Sequence, residues 1–162
     1  MNQNHIRTIQ ISAAIITVSS TRKQENDFSG TTLSTLFTAA GIPVSHNAIV
    51  PDRIEAIRNE LYIAMKTANC IIINGGTGLT HDDCTIEAIS PLLEKKIDGF
   101  GEFFRMKSLQ EIGTASMLSR AIAGITDGKV IFCIPGSTPA VTLATKELIL
   151  PEITHILSHA NR

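Results

Sequence analysis

Tryptophan is missing from this chain, tyrosine occurs once and phenylalanine six times, so aromatic residues make up only 4% of its 162 positions. That scarcity argues against a surface that recognises nucleic acid by stacking bases on aromatic rings. A dominant charge sign is missing too. The 14 Lys and Arg are balanced by 15 Asp and Glu for a formal net charge of −1, leaving no global field to draw in nucleic acid or a membrane surface. A polyanionic ligand must therefore be met locally, by loops and individual basic side chains. Cysteine is limited to Cys70, Cys84 and Cys133, an odd number without CxxC spacing. Two of the three lie in apolar runs, where a small hydrophobe serves equally well. Neither a disulfide framework nor a zinc site is expected. No apolar stretch approaches the roughly 20 residues of a membrane span, and residues 1–7 lack the apolar segment of a signal peptide. A cytoplasmic protein without membrane or nucleic-acid partners is the expectation.

What is present is apolar content of 43%, enough for one sizeable core, so a single domain over residues 1–162 is expected, with residues 1–8 as a flexible arm. An Ile-rich run over 9–17 reads as a buried strand that empties into a polar loop containing Ser19, Ser20, Thr21 and Arg22 and reaching Asp27, Phe28, Ser29 and Gly30. From Thr31 the apolar spacing becomes helical and stops at Gly41. A second strand over 42–50 leads to Pro51 and Asp52, which open an amphipathic helix with apolar residues Ile54, Ile57, Leu61, Ala64, Met65 and Ala68. Residues 70–74 form a third strand. Strands alternating with helices favour right-handed βαβ units around a parallel sheet.

The second half departs from that rhythm. Residues 103–120 look helical, with Phe103, Phe104, Met106 and Leu109 spread over more than one face, more apolar surface than a single core covers. The apolar runs 121–125 and 130–134 flank Asp127-Gly128, a hairpin signal. One antiparallel pair at the edge of an otherwise parallel, doubly wound α/β sheet with helices on both faces is therefore expected. A closing helix over about 140–157 is bent at Pro151.

The most informative tract is residues 74–83, NGGTGLTHDD, which follows the third strand and leads into the helix-like segment 85–89. Gly75, Gly76 and Gly78, with Thr77 among them, let backbone N–H groups approach a phosphate without an intervening Cβ, and the helix start behind them adds its dipole. Such a tract also serves as a plain turn, since short glycine motifs match often. In an open α/β sheet ligands bind beyond the carboxyl ends of the strands. There the loops 19–30, 51–52, 74–83 and 135–139 converge. Asp52 and Asp83 follow different strands, so they can face one another across a cleft and hold one Mg²⁺ beside substrate phosphates. Each also suits a helix cap, Asp52 in a capping box with Glu55 and Asp83 ahead of Cys84. Ser137 is a further cap candidate. His81 reads as an exposed loop residue, and His5, His46, His155 and His159 show no spacing that suggests ligation or a triad.

Taken together, residues 16–22 (ITVSSTR), 27–30 (DFSG), 74–78 (NGGTG), 99–105 (GFGEFFR), 119–124 (SRAIAG) and 135–137 (PGS) resemble the MoaB/MogA family of molybdenum cofactor biosynthesis proteins, closest to the MoaB branch. The resemblance runs over about 11–157. It implies a doubly wound α/β fold, a homo-oligomer (trimer or hexamer), binding of molybdopterin, and, in active members, its adenylylation with ATP and Mg²⁺. Other proteins of the cofactor pathway are implied as partners. Residue by residue, it implies that Asp52 and Asp83 are catalytic and hold the metal. Ser20, Thr21, Arg22, Ser29, Gly30, Gly75, Gly76, Thr77, Gly78, Glu102, Arg105, Ser119, Arg120, Pro135, Gly136 and Ser137 would line the nucleotide or pterin pocket. Many active relatives carry Arg-Asp where this chain has Asp82-Asp83. A cation is thus replaced by an anion beside a polyphosphate, and the alternative is a non-catalytic molybdopterin carrier or assembly protein of the same fold.

Overall fold

The computed structural model describes residues 8–162, so residues 1–7 of the expected arm lie outside the described residues. The elements are β1 (Ala13–Val18), α1 (Phe28–Ala39), β2 (Val44–Val50), α2 (Ile54–Ala64), β3 (Cys70–Asn74), α3 (Thr85–Ile89), β4 (Lys95–Lys96), α4 (Asp98–Ile112), β5 (Ile122–Thr126), β6 (Lys129–Ile134), α5 (Thr138–Ala144) and α6 (Leu150–Ala160). They build one six-stranded sheet in the order β2-β1-β3-β6-β5-β4. The first four strands of that order are parallel, while β5 runs antiparallel to β6 and to β4. This is the doubly wound, mostly parallel architecture that the alternating pattern implied.

Alternate residues of each central strand serve opposite faces. Ile15, Ile72 and Phe132 pack on one side with Leu33 and Phe37 of α1, Phe104 of α4 and Leu157 of α6. Ile16, Ile73 and Ile131 pack on the other with Ile57 and Leu61 of α2 and Ile89 of α3. Continuous apolar runs are what a strand covered on both faces requires.

Several boundaries differ from expectation, each for a tertiary reason. β1 starts at Ala13 rather than near residue 9, because its neighbours β2 and β3 begin only at Val44 and Cys70 and offer no partner before that level. The helix expected from Thr31 starts at Phe28, since the Asp27 carboxylate accepts the Gly30 N–H at 3.1 Å and takes Phe28, Ser29 and Gly30 into its first turn. The hairpin turn is as read, with Asp127 at φ 49° and Gly128 at φ 68°, the left-handed pair that a two-residue turn needs. Its outer strand is not the sheet edge, however. Lys95 and Lys96 of β4 add a further two-residue strand against Ile125 and Gly124, too short to carry any periodicity.

The helix expected over 103–120 lies over 98–112 and continues as a 3₁₀ segment over Gly113–Leu118. Gly113, at φ 66°, ends the α-helical part. The closing helix is interrupted by a π-helical turn over Thr145–Ile149, just ahead of Pro151. Proline lacks an N–H and crowds the carbonyl one turn back, and the wider turn accommodates it.

Candidate functional site

The parallel strands end level with one another. Val18 is opposite Val50, Thr17 opposite Asn74, and Asn74 opposite Ile134. Their following loops therefore meet at one edge, at the point between β1 and β3 where the chain's winding reverses direction.

Beneath these loops lies a polar cluster that sequence reasoning did not assign. Thr17 Oγ1 donates to Asp27 Oδ2 at 2.9 Å, Ser29 Oγ donates to Asn74 Oδ1 at 2.8 Å, and Asn74 Nδ2 donates to Thr17 Oγ1 at 3.1 Å. Arg22 joins it from above, donating to Ser29 Oγ at 2.6 Å and to the Gly136 carbonyl at 3.0 Å. The loop after β1 is thereby tied to the loop after β6. Ser29 and Gly30, expected in the pocket wall, are buried in this support. Gly30 is needed because a Cβ there would sit 2.1 Å from Asp27 Oδ2.

The glycine tract is shaped by close approaches. A Cβ on Gly75 would lie 2.4 Å from the Val18 carbonyl oxygen, and one on Gly76 would lie 2.3 Å from Thr85 Oγ1; both residues have positive φ. The Gly75 N–H is bound to the Ile134 carbonyl at 2.9 Å, so that amide serves the scaffold rather than a ligand. The following amides, Gly76 to Gly78, have no acceptor among the described residues.

Neither rim aspartate caps a helix. Arg53 occupies the N-cap of α2 and Cys84 that of α3, with no side-chain cap bond in either case. Asp52 Oδ2 instead accepts from the Ser20 N–H at 2.9 Å and Ser20 Oγ at 2.8 Å, across the gap between β2 and β1. Asp83 Oδ2 accepts from the Thr80 N–H and Oγ1 at 3.0 and 2.9 Å. Each keeps its Oδ1 unengaged. Burial, then the fields of Asp52, Glu87, Asp83 and Asp82, push the Cys84 thiol up. Among the described residues no group of three or more His, Cys, Asp or Glu side chains forms a metal cage. Two hard oxygen donors with phosphates and water completing the shell are nonetheless what Mg²⁺ accepts, so the donor set fits that ion.

A cavity of about 340 Å³ opens between the glycine tract and α4, lined by Gly76, Thr77, Gly78, Asp83, Phe104, Ser108, Ile112, Leu118, Ser119, Pro135, Gly136, Ser137 and Ala140. That volume lies within the range of small-ligand sites. Ser137 also caps α5, accepting the Ala140 N–H at 3.2 Å. Glu102 and Arg105 are not part of this cavity. They line a separate one of about 230 Å³, because the α4 turn that carries them faces β5, and Arg105 donates to the carbonyls of Ser119 and Ala121 at 3.3 and 3.1 Å. Ser20 and Thr21 stand at the exposed β1 rim beside Asp52. Arg120 bonds the Gly78 carbonyl at 2.9 Å and forms a two-nitrogen pair with the Glu87 carboxylate, which holds that carboxyl below its ordinary range. The three arginines expected to meet anions thus brace loop carbonyls. Glu87 lies outside the motifs, and Thr17, Asp27 and Asn74, though inside them, were given no role there. Only the polar character of Asn74 and Thr17 at the ends of apolar strands hinted at them.

A family model described as "Probable molybdopterin binding domain" matches residues 14–155. The chain is 46% identical over 156 residues to a Bacillus cereus protein named "Molybdenum cofactor biosynthesis protein B", the match spanning 94% of this chain and 92% of that one. A protein of the same name from Halalkalibacterium halodurans is 47% identical over 146 residues, with 88% and 86% covered. Among solved structures, a Molybdenum cofactor biosynthesis protein B superposes with a TM-score of 0.91 at 45% identity, covering 95% of this chain and 98% of that one. The "tungsten cofactor synthesizing protein MoaB from Pyrococcus furiosus" superposes with a TM-score of 0.87 at 35% identity, covering 96% and 100%.

Proposed function

The chain belongs to the molybdopterin-binding domain family, and from that premise we propose that it acts in molybdenum cofactor biosynthesis by binding molybdopterin and adenylylating it with ATP and Mg²⁺. The observation that carries this reading is the pair Asp52 and Asp83. Both are released from capping duty, both are braced by a neighbouring hydroxyl and amide, and each keeps one oxygen for a ligand.

In the reaction a terminal phosphate oxygen of molybdopterin bonds to the α-phosphorus of ATP, and the bond from that phosphorus to the pyrophosphate oxygen breaks, its electron pair leaving with pyrophosphate. Catalysis of this kind consists of aligning anions and stabilising their charge. The amides of Gly76 to Gly78 donate to phosphate oxygens, at no cost in reorganisation because Thr85 Oγ1 holds the Gly75 carbonyl at 2.8 Å and Arg120 the Gly78 carbonyl at 2.9 Å. Phe104, Ile112 and Leu118 give the cavity an apolar flank. The free oxygens of Asp52 and Asp83 would hold Mg²⁺, which would supply counter-charge to the phosphates.

A non-catalytic molybdopterin carrier is the second reading, favoured by Asp82, an exposed carboxylate beside Asp83. A like charge at ~6 Å from a phosphate opposes binding by up to about 3 kcal/mol at an effective dielectric near 20, before solvent screening. Incubation with molybdopterin, ATP and Mg²⁺ followed by mass detection separates the two. Adenylylated pterin supports the enzyme, bound but unmodified pterin supports the carrier, and the absence of both refutes each.

The same family reading implies a homo-oligomer, a trimer or hexamer. Its support here is the outer face of α4, where Phe103, Met106, Leu109 and Ile112 recur every three residues with about half of each side chain exposed. Phe104, first expected on that surface, points into the core instead. Light scattering that returned a monomer mass at micromolar concentration would reject the assembly.

A further inference from the structure

At the opposite side of the molecule, α6 carries side chains that the proposed activity leaves without a role. His155 and His159 stand four residues apart on this helix, hence on one face and one turn apart. Their rings meet edge to face with centroids 4.7 Å apart, and the two Nε2 atoms are 3.1 Å from each other. Glu152, one turn earlier, places Oε2 at 3.1 Å from His155 Nδ1. The spacing that looked uninformative in the sequence is therefore a converging pair. Both imidazoles line a cavity of about 830 Å³, larger than the one at the glycine tract, bounded also by Lys95, Lys96 and Arg162.

We propose that His155 and His159 form a two-nitrogen chelate for a borderline transition-metal dication of the Zn²⁺ and Cu²⁺ class. The distance suits such an ion. Two bonds of about 2.05 Å put their nitrogens roughly 2.9 Å apart at a right angle and roughly 3.3 Å apart at the tetrahedral angle. With the Glu152 carboxylate beside its Nδ1, His155 is suited to carry its proton there, which leaves the Nε2 lone pair aimed at its neighbour. The 3.1 Å contact is a hydrogen bond when one Nε2 carries the proton, and a cation that displaces that proton can bridge the same two atoms. Glu94 lines the cavity along with Lys95, Lys96 and Arg162, so it is bonding to imidazole nitrogen, not the charge of the surroundings, that selects the ion. This favours Cu²⁺ and Zn²⁺ over Mg²⁺ and Ca²⁺. The site is thus chemically distinct from the oxygen pair Asp52 and Asp83, and water or an anion completes its shell.

The test is calorimetric titration of the untagged, metal-free full chain with CuCl₂ and with ZnCl₂, together with the electron paramagnetic resonance spectrum of the Cu²⁺ form. About one ion per chain and a nitrogen splitting from two imidazoles are expected, unaffected by millimolar Mg²⁺. His155→Ala or His159→Ala should weaken binding at least about ten-fold and remove one nitrogen from the spectrum, and Glu152→Gln should weaken it about ten-fold. Alanine is a good helix former, and far-UV circular dichroism confirms that α6 persists. Unchanged binding in the His155→Ala/His159→Ala double variant would place the ion elsewhere and overturn the proposal. Absence of binding at millimolar metal would overturn it equally, leaving a pair that shares only a proton.

Discussion

Asp27 lies beneath the loops at the carboxyl edge of the sheet and is 6% exposed, whereas Asp52 and Asp83 stand at the rim of the same loops. Asp27 accepts from Thr17 Oγ1 and the Gly30 N–H and has the Arg22 guanidinium 3.8 Å away. Both of its oxygens are used. Asp52 and Asp83 each bind one neighbour through one oxygen and keep the other. One residue type is therefore a structural anchor where it is buried and saturated, and keeps one oxygen uncommitted where it is braced but unsaturated. The anchor holds the shape that the donors need, since Arg22 and Ser29 link it to Gly136 and Asn74.

The comparison is broken most severely by Asp27→Ala, which strands the Thr17 hydroxyl and the Gly30 amide in a buried setting and removes the α1 cap. A loss of about 3 kcal/mol is expected, or a fall of roughly 6–12 °C in Tm for a domain of this size. A loss under about 1 kcal/mol in urea unfolding would show that the cluster is not an anchor.

Asp52→Asn and Asp83→Asn are expected to do the reverse. Stability should change by less than about 1 kcal/mol, because neither side chain caps a helix and asparagine still accepts from the same donors. Turnover of molybdopterin should fall at least about a hundred-fold, equivalent to roughly 2.7 kcal/mol of transition-state stabilisation. Single-turnover mass detection across a Mg²⁺ titration reads both quantities, and wild-type rates with wild-type Mg²⁺ dependence in either variant would remove that aspartate from the donor class.

Asp82 sharpens the contrast from the ligand side. Asp82→Arg should tighten ATP about ten-fold, near 1.4 kcal/mol, because a guanidinium can pair with phosphate and a like charge is removed. Calorimetry of both proteins with ATP and Mg²⁺ decides it. Unchanged affinity would mean that Asp82 does not govern the nucleotide site.

The smallest effect belongs to Glu87, whose pair with Arg120 braces the Gly78 carbonyl. Its carboxyl is held below the ordinary range, first by the Arg120 hydrogen bonds. A depressed carboxyl pKa adds stability that is complete above the unfolded-state value and fades as pH falls through the folded one. Glu87→Gln should therefore cost less than about 1 kcal/mol at neutral pH, given the exposure of the pair. Its deficit should shrink as pH falls below the unfolded-state value and vanish once the folded-state carboxyl is protonated. A deficit that persisted there would point to packing rather than charge.

Much of this was legible in the chain itself where the signals are local. The run 70–74, the segment 85–89 and the Asp127-Gly128 turn were readable because side-chain period, strand length and left-handed turn residues act within a few positions. The places of Asp52 and Asp83 at strand ends were also legible, one after Pro51 beyond the second strand and one at the end of the glycine tract. Their partners were not. Ser20 is 32 residues from Asp52, Glu87 is 33 from Arg120, and Arg22 is 114 from Gly136. The two-residue β4 and the glycine-rich start of α4 were hidden for a related reason. Both are set by close packing on β5: a Cβ on Gly101 would lie 2.6 Å from the Ala121 carbonyl oxygen.

By itself the sequence determined the alternation of strands and helices, the parallel sheet with its hairpin, and the glycine tract at a strand end, all consequences of period and backbone permissiveness. Only the tertiary structure decided that Asp27 is saturated while Asp52 and Asp83 are not, that Arg22, Arg105 and Arg120 brace carbonyls, and that His155 and His159 converge. A polar side chain's role depends on which donors and acceptors come within about 3 Å of it. Across strands and loops, that proximity arises from packing between segments far apart in the chain.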